Sequence, residues 1–269
     1  MFSCKKQDNN KDTLVVSDFN TIGEIHNLFL TNVEDNFIVN NNISNEEEKI
    51  DFINQFNMDF ANSLNIYRSN KLALKTGLNE NKSFINQTTL INRAFGDNSQ
   101  SRIYDIIDSI QNKNIFELIE YIYNENIIGQ DSRQILLSLA NDLKSHYLGN
   151  LSDSDLKLNV ESLINQFNSI GFEEGSEGEM VGTILAISKY SLQWWEERNE
   201  NQISANLAAV PAWVGSDIVG GIISAAVAAT GQAIVNGEID WGTVAWSAAG
   251  GAISSSTGAV SKILSWIKN

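Results

Sequence analysis

The chain has 269 residues, with 18 Lys and Arg against 33 Asp and Glu, giving a formal net charge of −15. That length buries a sizeable core in one large domain or two smaller ones, and the acidity, without any basic stripe, excludes DNA and RNA as partners. Cys4 is the only cysteine, which excludes an intramolecular disulfide framework and a thiolate metal cluster.

Residues 1–20 form a tether. Met1-Phe2-Ser3-Cys4-Lys5-Lys6 looks like the end of a bacterial lipoprotein signal, where an apolar run leads to a lipidated cysteine. The three residues ahead of Cys4 are too few for the apolar stretch of a secretory signal. Cys4 is nonetheless the lipidation candidate, and the polar stretch to about Asp12 would hold a folded body off a membrane surface. Leu14-Val15-Val16 is β-prone and predicts a short strand over Leu14 to Phe19.

Residues 21–205 read as a helical body, with apolar residues recurring at intervals of three and four. Ile22, Ile25, Phe29 and Val33 form the first stripe, and Ile50, Ile53, Phe56, Phe60, Leu64 and Tyr67 the second. Further stripes are Ile103, Ile106, Ile107 and Ile110; Phe116, Leu118, Ile119 and Ile122; Ile135, Leu139 and Leu143; and Leu156, Val160, Leu163 and Phe167. Breaks at Gly96-Asp97, Gly129, Gly149 and Gly171 punctuate them, so six to eight helices joined by short loops are expected. The last helix of the body, roughly Glu179 to Asn199, carries Val181, Ile184, Leu185, Leu192 and Trp195 on one side. Trp194 falls off that stripe and is expected to cover a neighbour or the tail.

Candidate chemistry in the body is sparse. His26 and His146 lack a second ligand at helical spacing, so each is read as lying at the edge of a helix-helix contact. Neither a Gly-x-Ser-x-Gly elbow nor a phosphate-cradling glycine loop is present, which predicts a non-enzymatic protein without a cofactor. Glu173, Glu174, Glu177 and Glu179 lie among glycines, but their spacing departs from that of a calcium loop. They read as a solvated acidic turn.

Residues 206–269 are a different material. They hold only three acids (Asp217, Glu238, Asp240) and two bases (Lys262, Lys268). Two uncharged arms, Ile218 to Val235 and Trp241 to Ser261, flank the polar turn Asn236 to Asp240 and predict a Gly/Ala/Ser-rich helical hairpin, with Asp217 at the start of the first arm. Gly220-Gly221-Ile222-Ile223-Ser224 lies over Gly250-Gly251-Ala252-Ile253-Ser254, a weak internal duplication. Interior glycine costs about 1 kcal/mol against alanine, so close backbone approach must compensate it, as in small-xxx-small helix pairs. The predicted packing positions are Gly220, Gly221, Ala225 and Ala229 against Gly250, Gly251, Ser254 and Gly258. The first arm would be about 27 Å long, close to the hydrocarbon thickness of a bilayer, whereas the second is diluted by serines. Trp213, Trp241, Trp246 and Trp266 bracket the arms, as membrane-interface or hairpin-capping residues.

Phe2-Ser3-Cys4-Lys5-Lys6, Ile22-Gly23-Glu24-Ile25-His26-Asn27, Ser188-Lys189-Tyr190-Ser191 with Trp194-Trp195, and the glycine-rich tail together resemble uncharacterised lipoprotein-like proteins of the Bacteroidota. That resemblance implies a bacterial cell-envelope location, lipid-anchored or secreted, and no particular activity. The tail is also similar to the hydrophobic hairpins of pore-forming bacteriocins. The expectation is therefore an all-α chain, a multi-helix bundle followed by a helical hairpin. Its body would bind a protein partner, and its hairpin would mediate self-association or membrane contact.

Overall fold

The computed structural model describes residues 13–39, 113–200 and 210–258. Cys4 and the other residues before Thr13, the stripes from Ile50 to Tyr67 and from Ile103 to Ile110, the Gly96-Asp97 break and Trp266 lie outside the described residues. Those described form an all-α fold. After a 3-10 turn, Val16–Phe19, come α1 (Asn20–Val39), α2 (Ile115–Asn124), α3 (Gln130–Tyr147), α4 (Asp153–Ile170), α5 (Gly178–Glu200), α6 (Val210–Asn236) and α7 (Trp241–Gly258).

The helix boundaries follow from local chemistry. Asn114 Oδ1 accepts from the Glu117 backbone N–H at 3.0 Å while the Glu117 carboxylate accepts from the Asn114 N–H at 3.1 Å, a reciprocal cap that starts α2. Ser152 Oγ accepts from the Asp155 N–H at 3.1 Å and starts α4. That helix ends at Gly171, whose φ of 81° is a left-handed conformation that a Cβ would disfavour. Asp240 starts α7 by accepting from both the backbone N–H and the hydroxyl of Thr243, at 3.2 and 2.6 Å.

The β-prone residues near the amino end do not make a strand. Thr13 forms a single antiparallel bridge with Glu173, and the Leu14 N–H donates to the Phe172 carbonyl at 2.7 Å. The Val16 N–H then donates to the Asn168 side chain at 2.9 Å and the chain turns into α1. Only one partner strand residue is available there, so propensity alone yields one bridge.

α5 is the axle of the fold. From Met180 to Ser188 every residue is buried, as expected of a helix that other helices surround on all sides. α1, α4, α6 and α7 all pack on it. The predicted stripes of α2, α3 and α4 face the same core: Leu118, Ile119, Ile122, Ile135, Leu139, Leu143, Leu156, Val160, Leu163 and Phe167 are all buried. Ile115 is buried in place of Phe116, which sits at the rim beneath the Lys144 ammonium, 5.4 Å from its ring.

α6 and α7 form an antiparallel hairpin whose inner residues, Val214, Ile218, Ile222, Ala225, Ala229, Val244 and Ala248, belong to one continuous core with α5. The first arm is longer than the uncharged run. It begins at Val210 with Pro211 in its first turn, where proline is tolerated. Asp217 therefore lies two turns inside the helix rather than at its start. Among the described residues no helix is long and apolar enough to cross a membrane.

Candidate functional site

Three polar side chains from three helices meet where the hairpin docks on the body. Ser191 on α5 donates its hydroxyl to Asp217 Oδ2 on α6 at 2.7 Å, and His26 Nε2 on α1 lies 3.4 Å from the same oxygen. Asp217 and Ser191 are 0% exposed and His26 is 1% exposed, so the group is sealed from solvent. His26 Nε2 approaches at ion-pair distance without hydrogen-bond alignment. Its Nδ1 faces Asn27 Oδ1 at 3.3 Å, and the Asn27 amide donates to the Tyr190 carbonyl at 2.8 Å.

The neighbourhood ties α1 to α5 through the two short motifs singled out in the sequence. Gly23 is a notch for Tyr190, since a Cβ there would collide with the ring at Cγ, 2.6 Å away. Gly182 on α5 receives the Phe19 ring in the same way. The Tyr190 hydroxyl donates to Glu24 Oε1 at 3.4 Å. Burial, and then the Glu24 carboxylate, hold that hydroxyl above its ordinary titration range. Trp194 turns toward α1, where its indole N–H donates to Thr31 Oγ1 at 2.9 Å, and its ring meets that of Trp195 edge-on with centroids 4.6 Å apart.

Chemically, the arrangement lacks the order of a nucleophilic triad. There a histidine stands between the hydroxyl and the acid, so that it can take the hydroxyl proton. Here the carboxylate stands between serine and histidine, and the serine proton points at the acid. Sequence reading placed His26 at a helix-helix contact and missed both partners. Asp217, a lone charge in an uncharged stretch, was the signal that could have found the junction, because such a group must be matched when buried.

His146 is placed differently. It lies in the last turn of α3, with Nε2 2.5 Å from Asp153 Oδ1 at the start of α4. That joins a group that can be cationic at a helix C-terminus to an acid at a helix N-terminus, both favourable with the macrodipoles. The acidic turn has a structural use. Glu177 Oε1 accepts from the Gly129 N–H at 2.9 Å and from Ser132 Oγ at 3.3 Å, capping α3, which has no cap of its own. Glu179 Oε1 accepts from the Gly175 N–H at 2.7 Å. Among the described residues no group of three or more His, Cys, Asp or Glu is placed to hold a metal ion. A shallow groove of about 480 Å³, lined by Tyr123, Asn126, Ile128 and Glu177 among others, lies beside this cap.

The hairpin seam runs through some of the expected positions and not others. A Cβ on Gly221 would lie 3.3 Å from the Ala248 carbonyl and 3.8 Å from Ala252 Cβ. At Gly251 a Cβ would overlap the Gly220 carbonyl and the Ser224 side chain, so the backbones touch there. Ala225 and Ala229 are buried, while a Cβ on Gly250 would meet nothing within 4 Å. The helical period explains the shift, since residues 248, 251 and 252 share one face and 250 turns away from it. Ser254 and Gly258 lie on α7 and Trp213 on α6. Trp241 and Trp246 are half-buried against the core. Compared with protein-family models, curated proteins and solved structures, the chain finds no match.

Proposed function

We propose that this chain is a non-enzymatic cell-envelope protein, lipidated at Cys4, whose helical body binds a protein partner and whose hairpin mediates self-association or membrane contact. One observation carries the reading. The hairpin spends its small inner face on α5, yet Ile223, Val227 and Ala228 on α6 and Trp246 on α7 stay only half-buried on the flanks. An apolar strip left half-open beside a docked face is where a second surface would seat. The carboxylate-centred junction is sealed, so a substrate has no route to it, which fits a packing role for that group.

The test uses the full chain as Cys4→Ala, so that lipidation cannot contribute. Sedimentation velocity over a concentration series and flotation with anionic vesicles should show either a concentration-dependent dimer or vesicle binding. A chain that is monomeric throughout and leaves vesicles untouched overturns the reading.

A second reading is a membrane-active protein that inserts residues 218–261. It is favoured by the hairpin's composition, since Asp217 is the sole formal charge between Asn201 and Gly237. Dye release from sealed liposomes distinguishes it, because an interaction protein leaves the dye inside at every concentration.

A further inference from the structure

We propose that the His26–Asp217–Ser191 junction is a docking key, which sets where the α6–α7 hairpin sits on α1 and α5 while adding nothing to overall stability. The inference goes beyond the envelope reading and does not depend on it. Its first support is the chemical uniformity of the hairpin's inner face, where Val214, Ile218, Ile222 and Val244 join Ala225, Ala226, Ala229, Ala248 and Ala252 around Gly221 and Gly251. Contacts among such residues are short-ranged and nearly alike from turn to turn. Val214, Ile218 and Ile222 recur every four residues on α6, so a hairpin slid by one turn meets α5 with similar surfaces. Apolar packing alone leaves the register degenerate.

The second support is independent of the first. The one formal charge of α6 is fully buried, and His26 and Ser191 face it from two other helices. A slide of one turn along α5 takes the Asp217 carboxylate away from His26 and Ser191 and towards Ser188, whose hydroxyl is already donated to the Ile184 carbonyl. A buried carboxylate that loses its donors costs far more than the lost packing. A buried polar junction is poor at adding stability and good at rejecting alternative arrangements, as polar residues at coiled-coil interfaces are. Ser191 can fall back on its own helix when the acid is gone, as Ser188 does by donating to the Ile184 carbonyl at 2.7 Å.

The experiment is hydrogen exchange with mass spectrometry on the full chain, read as the protection of α6–α7 relative to α5, together with the melting temperature. In His26→Leu/Asp217→Ala, a nearly volume-conserving apolar replacement, the melting temperature is expected to hold or rise. Exchange in α6–α7 is expected to become at least about ten-fold faster relative to α5, the size of effect that loss of a unique docked state gives. In His26→Gln/Asp217→Asn, which keeps an acceptor for Ser191, the wild-type ratio is expected to return. An apolar variant that keeps the wild-type ratio overturns the proposal. So does one that melts lower with both regions losing protection together, or one that fails to fold, since the junction would then serve stability. A folded Gln/Asn variant that shows no rescue overturns it as well.

Discussion

Gly250 and Gly251 are neighbours with opposite constraints. At Gly251 the α6 backbone occupies the space of a side chain, so Gly251→Val is expected to cost about 2–3 kcal/mol through overpacking and backbone displacement. At Gly250 nothing stands in the way, and Gly250→Ala is expected to stabilise by about 0.5–1 kcal/mol through helix propensity and a less free unfolded chain. Urea midpoints of the two variants check both signs, and equal effects would mean that the seam does not run where the backbones meet. Glu177 acts at the same scale. Its carboxylate serves the N-terminus of a helix 45 to 48 residues away in sequence, so Glu177→Ala is expected to cost about 1 kcal/mol by thermal melting. That role was invisible in the sequence, where Glu177 was one of four acids in a turn. Capping by a distant residue leaves no local pattern.

Between elements, α2 and α3 are clamped by Arg133. Its guanidinium donates to both oxygens of Glu120, at 2.9 and 2.5 Å, and lies 4.9 Å from the Tyr123 ring centroid. The hydrogen bond from Arg133, and its charge, hold the Glu120 carboxyl below its ordinary value. A carboxyl depressed on folding contributes stability that is present above its unfolded pKa and lost as pH falls through its folded pKa. The expected result is an acid limb of the pH–stability curve that flattens in Glu120→Gln, with wild type and variant converging at the acid end. Parallel curves would show that the clamp contributes nothing. The stripes that place these helices were legible, because a one-sided helix writes its buried face at intervals of three and four. α5 was harder to read. A helix buried on every side loses that periodicity, and its predicted single stripe proved to be one part of a buried surface that runs all the way round from Met180 to Ser188.

At the scale of the whole molecule, the hairpin is a rib of the fold. It shares its core with α5 and is fixed at one end by His26 and Ser191. His26→Ala takes away one of the groups that face the buried Asp217 carboxylate and leaves a cavity beside it, so it is expected to cost about 3–5 kcal/mol, well beyond the loss of a few ring contacts. Chemical denaturation of His26→Ala beside Ile187→Ala, an apolar truncation on α5, separates the two causes, and a smaller loss in His26→Ala would mean that Asp217 is matched without it. The amino-terminal motif around His26 and the α5 motif around Tyr190 looked unrelated in sequence. They meet because a glycine on each side, Gly23 and Gly182, accepts an aromatic ring from the other.

The sequence by itself determined the class and the materials: an all-α chain, an acidic body, an uncharged small-residue hairpin, and the helix breaks at Gly129, Gly149 and Gly171. These are local quantities, set by periodicity, capping chemistry and glycine, and they need no knowledge of what lies opposite. Tertiary structure alone decided that α5 is enclosed, that Gly251 rather than Gly250 touches its neighbour, that Glu177 caps a distant helix, and that Asp217 is matched by His26 and Ser191. Each of those depends on which faces meet in space. A charge or a glycine in one segment becomes meaningful only when the partner that compensates it has been brought beside it by the fold.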